Sequence, residues 1–264
     1  MSVTRQVVLE QLAAVSDADR LVDDEDPDVA DHLTDVYRDR HELHLGYRVN
    51  EIAETDDGKR VTAEDDDVEE VTVRGDCLLL ATGRQPNSDT WNVEAGGIQT
   101  DEKGFVETDE YLRTSVDGVY AIGDIAGNYM FKHSGDKEAE YVVENVVHGN
   151  EMPVEYPGMA HAIFGSPQVA SLGETEAELE ADDAEYETGT FGYDDTALGE
   201  TLDHEGGFAK VLVDPDGEVL GYHVVGPDAS TLVHETSTAV AAGADAETIH
   251  VHPALSEVVQ GSGR

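Results

Sequence analysis

Apolar positions recur with a helical period in residues 26–38, DPDVADHLTDVYR, where Val29, Leu33, Val36 and Tyr37 share one face. Asp26 is placed to cap that helix, and Pro27 suits its first turn. A second helix is predicted over 137–149, with Ala139, Val142, Val143, Val146 and Val147 as its buried stripe and Gly149 as its stop. A third is predicted over 230–243, capped by Ser230. Residues 43–54 and 68–75 read as strands, with 56–60 as a turn-bearing loop between them. CLLLATGRQPN (77–87) begins as an uninterrupted apolar strand, the pattern of a strand covered on both faces, and GVYAIGD (118–124) is a second such run. Residues 207–226 form a hairpin around DPDG. Strand, loop and helix in succession predict an α/β layer architecture up to about residue 152, and the hairpin and helix beyond it predict a separate α+β domain.

The chain has 264 residues, enough for one large or two modest domains. Charge changes the picture more than length does. Asp and Glu outnumber Lys and Arg 59 to 15, a formal net charge of −44. The acids interleave with the apolar periodic positions, so they coat a folded surface instead of forming a tail. That field repels nucleic acid and anionic membranes. It also repels itself, and salt screens the repulsion. The thermal midpoint is therefore expected to rise between low and molar KCl. A midpoint that stays level or falls would reject this reading of the surface. No apolar run approaches the roughly 20 residues of a membrane helix, and the expected location is the cytoplasm. The one cysteine, Cys77, lies beside three leucines and reads as buried and structural.

Several residues carry candidate chemistry. Gly123 and Asp124 end an apolar run, where α/β sheets bind ligands, and the Asp124 carboxylate can accept from sugar or ribitol hydroxyls; a plain strand-end turn would look the same. Gly83 and Arg84 end the other run, and Arg84 is an isolated cation in an acidic chain. Near the C-terminus, TIHVHPALSEVV places His252 before a proline and five residues before Glu257. A histidine moves protons near neutral pH, and a carboxylate on its second nitrogen fixes the tautomer. A surface histidine is the plainer alternative. A metal on His250 and His252 is a weak one, because no further ligand set accompanies them.

Taken in order, DRLVDDEDPDV, LLLATGRQPN, GVYAIGD, HAIFGSPQVASLGETEAE and HVHPALSE resemble segments of the flavin-dependent pyridine nucleotide-disulfide oxidoreductases, from Ala18 onward. Dihydrolipoyl dehydrogenases and mycothiol disulfide reductases are the most similar groups. The resemblance implies FAD and NAD(P) as cofactors, a homodimer, and a dithiol or disulfide substrate. It implies that Asp124 binds the ribityl chain, with Gly83, Arg84 and Gly123 beside the cofactor. Met130, Phe131 and the residues up to His133 would lie near the flavin ring. It makes His252 the acid/base of thiol-disulfide interchange and Glu257 its orienting partner. Residues 1–76 would be part of the NAD(P)-binding domain, 77–152 the C-terminal part of the FAD-binding domain, and 153–264 the interface domain. The family's two Gly-rich loops and its Cys-x4-Cys pair are not in this sequence, so the chain corresponds to the C-terminal portion of such an enzyme. A non-catalytic dimerisation or scaffold protein keeping the interface domain is the alternative.

Overall fold

The computed structural model describes residues 13–202, 206–243 and 253–262. Strand β1 (Ala13–Ser16) pairs in parallel with β2 (Glu42–Leu45), and helix α1 (Pro27–Arg40) connects them. Asp26 caps α1 as its sequence predicts, accepting from the Asp28 N–H at 3.1 Å. An antiparallel meander follows: β3 (Arg48–Thr55), β4 (Gly58–Glu64) and β5 (Glu70–Gly75). The loop expected at 56–60 shrinks to a two-residue turn, because Gly58 already pairs with Thr55 and begins β4.

Residues 80–159 form one compact unit. Its helix, α2 (Lys132–Val146), stands beside loops and three short 3-10 turns at Ser88–Trp91, Val93–Gly96 and Gly123–Ala126. Val93, Val106, Ala121 and Ala126 make its small core. Aspartates brace the loops: Asp101 Oδ1 accepts from the Lys103 and Phe105 amides, and Asp109 Oδ1 from those of Tyr111 and Arg113. Two sequence expectations fail along this part of the chain. CLLLA is not a strand: it has no ladder partner among the described residues, Cys77 is exposed, and Leu79 is 86 % exposed. GVYAIGD makes only one isolated bridge, between Tyr120 and Arg113, before turning into the 3-10 segment. The two runs differ in cover: Ala121 of the second is buried in the unit's small core, whereas Leu79 and Leu80 of the first are exposed. The stripe of α2 is likewise exposed at Val143, Val146 and Val147, while Ser134 and Glu138 are buried.

The chain then builds β6 (Ala160–Ile163), β7 (Gln168–Gly173), α3 (Glu176–Ala181), β8 (Glu187–Gly192), α4 (Ala197–Leu202), β9 (Phe208–Val213), β10 (Val219–Gly226), α5 (Ala229–Ala242) and α6 (Glu257–Ser262). The five strands form one antiparallel sheet ordered β6-β7-β10-β9-β8. The β9–β10 hairpin is the predicted one, its turn tied by Asp214 Oδ1 to the Asp216 and Glu218 amides. Helix α5 begins at Ala229 after a left-handed Asp228, not with Ser230 as cap; the Ser230 hydroxyl donates to Gln168 Oε1 instead. Among the described residues no helix is long and apolar enough to cross a membrane.

Residues 1–79 and 160–264 pack as the other compact unit, so the regions read as partial NAD(P)-binding and interface domains share one body. Val29 and Leu33 of α1 join Val169 and Val225 in a common apolar cluster. A buried polar knot reinforces it. Lys210 is fully buried, and its ammonium donates to Asp26 at 2.9 Å, Asp28 at 2.7 Å and Glu176 at 2.5 Å. Burial alone would lower the Lys210 pKa, but the three carboxylates outweigh it and raise it. Alongside, the buried Glu25 bonds His161 at 2.5 Å and the Ser171 hydroxyl at 2.6 Å. Burial raises the Glu25 pKa, and these two bonds together with attraction to His161 and His223 reverse that, holding it below the usual carboxylate value.

Candidate functional site

The 80–159 unit gathers residues that lie far apart in sequence. Ile122 is extended, and Gly123 then turns with φ +72, a left-handed value that favours glycine. This swings Asp124 to the start of the 3-10 turn. Arg84 follows Gly83, which also has positive φ. The Arg84 guanidinium donates to the Met130 carbonyl at 2.8 Å and reaches Asp124 Oδ2 at 3.4 Å. Gly83, Arg84, Gly123, Asp124 and Met130 therefore meet in one place. Phe131 and His133 continue from it, their rings stacked 5.4 Å apart and nearly parallel.

The Arg84–Asp124 pair is open to solvent, its side chains 64 % and 57 % exposed. Such a pair contributes at most about 1 kcal/mol, so a ligand hydroxyl can compete for the carboxylate. A Cβ built on Gly83 or Gly123 meets nothing within 4 Å, which leaves that flank open. A solvent-facing carboxylate beside an open glycine flank can accept hydrogen bonds from the hydroxyls of a ligand.

One member escapes sequence reasoning. Glu138, on α2, is fully buried. Its Oε2 accepts the Gly123 N–H at 2.5 Å, and its Oε1 accepts the Tyr156 hydroxyl at 2.6 Å. Burial and the adjacent Glu138 both raise the Tyr156 pKa, so the phenol keeps its proton and donates. The sequence signal was its position: Glu138 lies four residues from Ser134 and from Val142, on the inward edge of the helix.

In the other unit, Glu257 opens α6 and accepts the Ala254 N–H at 3.0 Å. That bond fixes the turn immediately after Pro253. His250 and His252 lie outside the described residues.

Residues 5–189 match the family described as pyridine nucleotide-disulphide oxidoreductase, and residues 159–262 match the dimerisation domain of the same family. The dihydrolipoyl dehydrogenase of Halobacterium salinarum is 37 % identical over 241 residues, 88 % of this chain and 51 % of that protein. The Haloferax volcanii dihydrolipoyl dehydrogenase is 35 % identical over 250 residues, covering 90 % and 52 %. Among solved structures, LpdA from Mycobacterium tuberculosis superposes with a TM-score of 0.84 at 24 % identity, covering 96 % of this chain and 56 % of that one. The HOCl-induced flavoprotein disulfide reductase RclA from Escherichia coli gives 0.84 at 22 % identity, covering 96 % and 59 %. These two show a shared fold. The chain spans about half the length of the curated relatives it matches. With family matches that together run from residue 5 to residue 262, the chain belongs to the pyridine nucleotide-disulphide oxidoreductase family.

Proposed function

We propose that this chain is the C-terminal portion of an FAD-dependent, NAD(P)-linked disulfide oxidoreductase of the dihydrolipoyl dehydrogenase kind. The observation that carries the proposal is the meeting of Arg84, Asp124 and the Met130 carbonyl around an open glycine turn. When bound, FAD supplies the two-electron relay between a nicotinamide and a disulfide. Asp124 accepts hydrogen bonds from the ribityl hydroxyls, and Arg84 holds the segment before α2 against that carboxylate. Met130, Phe131 and His133 border the flavin ring. His252 moves the proton of thiol-disulfide interchange, and Glu257 steadies its imidazolium. The region 153–264 is the homodimer interface, 77–152 part of the FAD-binding domain, and 1–76 part of the NAD(P)-binding domain. Cys77 is the single thiol of this sequence, so a redox disulfide within it cannot form. That favours one second reading, a dimerisation or scaffold remnant.

Flavin titration separates these readings. The chain is expected to take up FAD weakly but saturably, and Asp124→Ala to lose roughly 10- to 100-fold in affinity, the value of hydrogen bonds to a charged group. No saturable binding would favour the scaffold. Equal binding by Asp124→Ala would remove Asp124 from the site.

A further inference from the structure

We propose that Glu138 is a positioning residue for the cofactor turn, holding the Gly123 amide so that Asp124 presents its carboxylate to the ligand. The inference rests on the flavin reading of that turn. A carboxylate taken wholly out of water is costly unless its oxygens are satisfied. Glu138 has no Lys or Arg partner among the described residues, and both its oxygens are committed: Oε2 to the Gly123 N–H, Oε1 to the Tyr156 hydroxyl. The residue it grips is the one immediately before Asp124, the first of the 3-10 turn, whose N–H has no partner within that turn. Among the described residues, the Asp124 side chain is held from outside only by the exposed Arg84, 3.4 Å away. The firm contact on this turn is therefore the buried one, and it ties the turn to α2, whose preceding residues Met130 and Phe131 border the same place. Tyr156 packs edge-on against Tyr129 at 4.9 Å, so the phenol that orients Glu138 is itself fixed.

The test is a double-mutant cycle in FAD affinity on the chain as it stands, read by flavin fluorescence. Glu138→Ala strands the Gly123 N–H and is expected to weaken FAD binding about tenfold. Glu138→Gln keeps an acceptor oxygen for that N–H, and its amide can donate to Tyr156, so it should restore affinity to within about threefold. If Glu138 acts through Asp124, Glu138→Ala should change affinity less than about twofold in an Asp124→Ala background. Equal losses in both backgrounds would overturn the proposal, as would no loss in the first. Amide NMR of wild type and Glu138→Gln decides the case where Glu138→Ala does not fold or wild type binds no flavin. Replacing a charged acceptor by a neutral one lengthens the bond, so the Gly123 and Asp124 amide protons should move upfield. Unmoved resonances would refute the positioning role. Absent flavin binding with moved resonances would refute the flavin reading alone.

Discussion

Lys210→Met is expected to destabilise the unit formed by residues 1–79 and 160–264 by about 3–5 kcal/mol, the usual cost of removing one partner from a buried ion pair. The substitution retains side-chain volume, so the effect is electrostatic. Asp28 is 61 % exposed and can turn to water. Asp26 cannot: it is fully buried, and among the described residues losing the ammonium leaves its carboxylate only the Asp28 and Glu176 amides. Glu176 also loses the contact that chiefly keeps its pKa below the usual value. For a body of this size the loss corresponds to a drop of roughly 6–20 °C in melting midpoint, read by circular dichroism in molar KCl. Asp26→Asn in the same chain removes the stranded charge, so the double variant should lose less than the sum of the singles. A loss below about 1 kcal/mol for Lys210→Met would mean that water reaches the knot.

The elements legible in the sequence are those whose partners lie nearby in the chain. Helix α1, its Asp26 cap and the β9–β10 hairpin follow from local periodicity and turn chemistry. The runs CLLLA and GVYAI predict strands covered on both faces and neither is one, because a strand exists only where another strand pairs with it. CLLLA has no such partner among the described residues, so Leu79 and Cys77 face solvent, and GVYAI has only the single bridge from Tyr120 to Arg113. The valines of α2 tell the same story: period predicts a stripe, not what lies against it.

The site divides in the same way. Arg84 and Asp124 stand out in the sequence because Gly-Arg and Gly-Asp end apolar runs, a contrast visible in one dimension. Glu138 does not stand out, because one acid among 59 has no contrast with its neighbours. Lys210 does carry a signal in the sequence. It stands between Ala209 and Val211 in an apolar strand, in a chain with few lysines. Since residues alternate across a strand, a lysine there needs anions on its own face. Asp26, Asp28 and Glu176 supply them from two other elements, which no local pattern reveals.

On the proposed function, His252 is the residue that moves the proton of thiol-disulfide interchange. Losing a positioned acid/base costs about 10²–10⁴-fold in rate. His252→Ala should therefore lower kcat by that factor while changing KM little, because the imidazole acts on a proton in flight and not on substrate affinity. Glu257→Gln should do less harm, since it keeps an acceptor oxygen and drops only the charge favouring imidazolium. It also keeps a group able to accept the Ala254 amide, as Glu257 does here. His250→Ala should be milder than His252→Ala, because only His252 directly precedes the proline and stands five residues before Glu257. The most direct measurement is steady-state reduction of lipoamide by NADH or NADPH. It uses a complete enzyme made by joining this chain to the part of the Halobacterium salinarum relative that it does not match. The expected result is turnover in that enzyme and a loss of about 10²–10⁴-fold in kcat for His252→Ala; an active enzyme whose kcat survives His252→Ala, or falls furthest in His250→Ala, would contradict it.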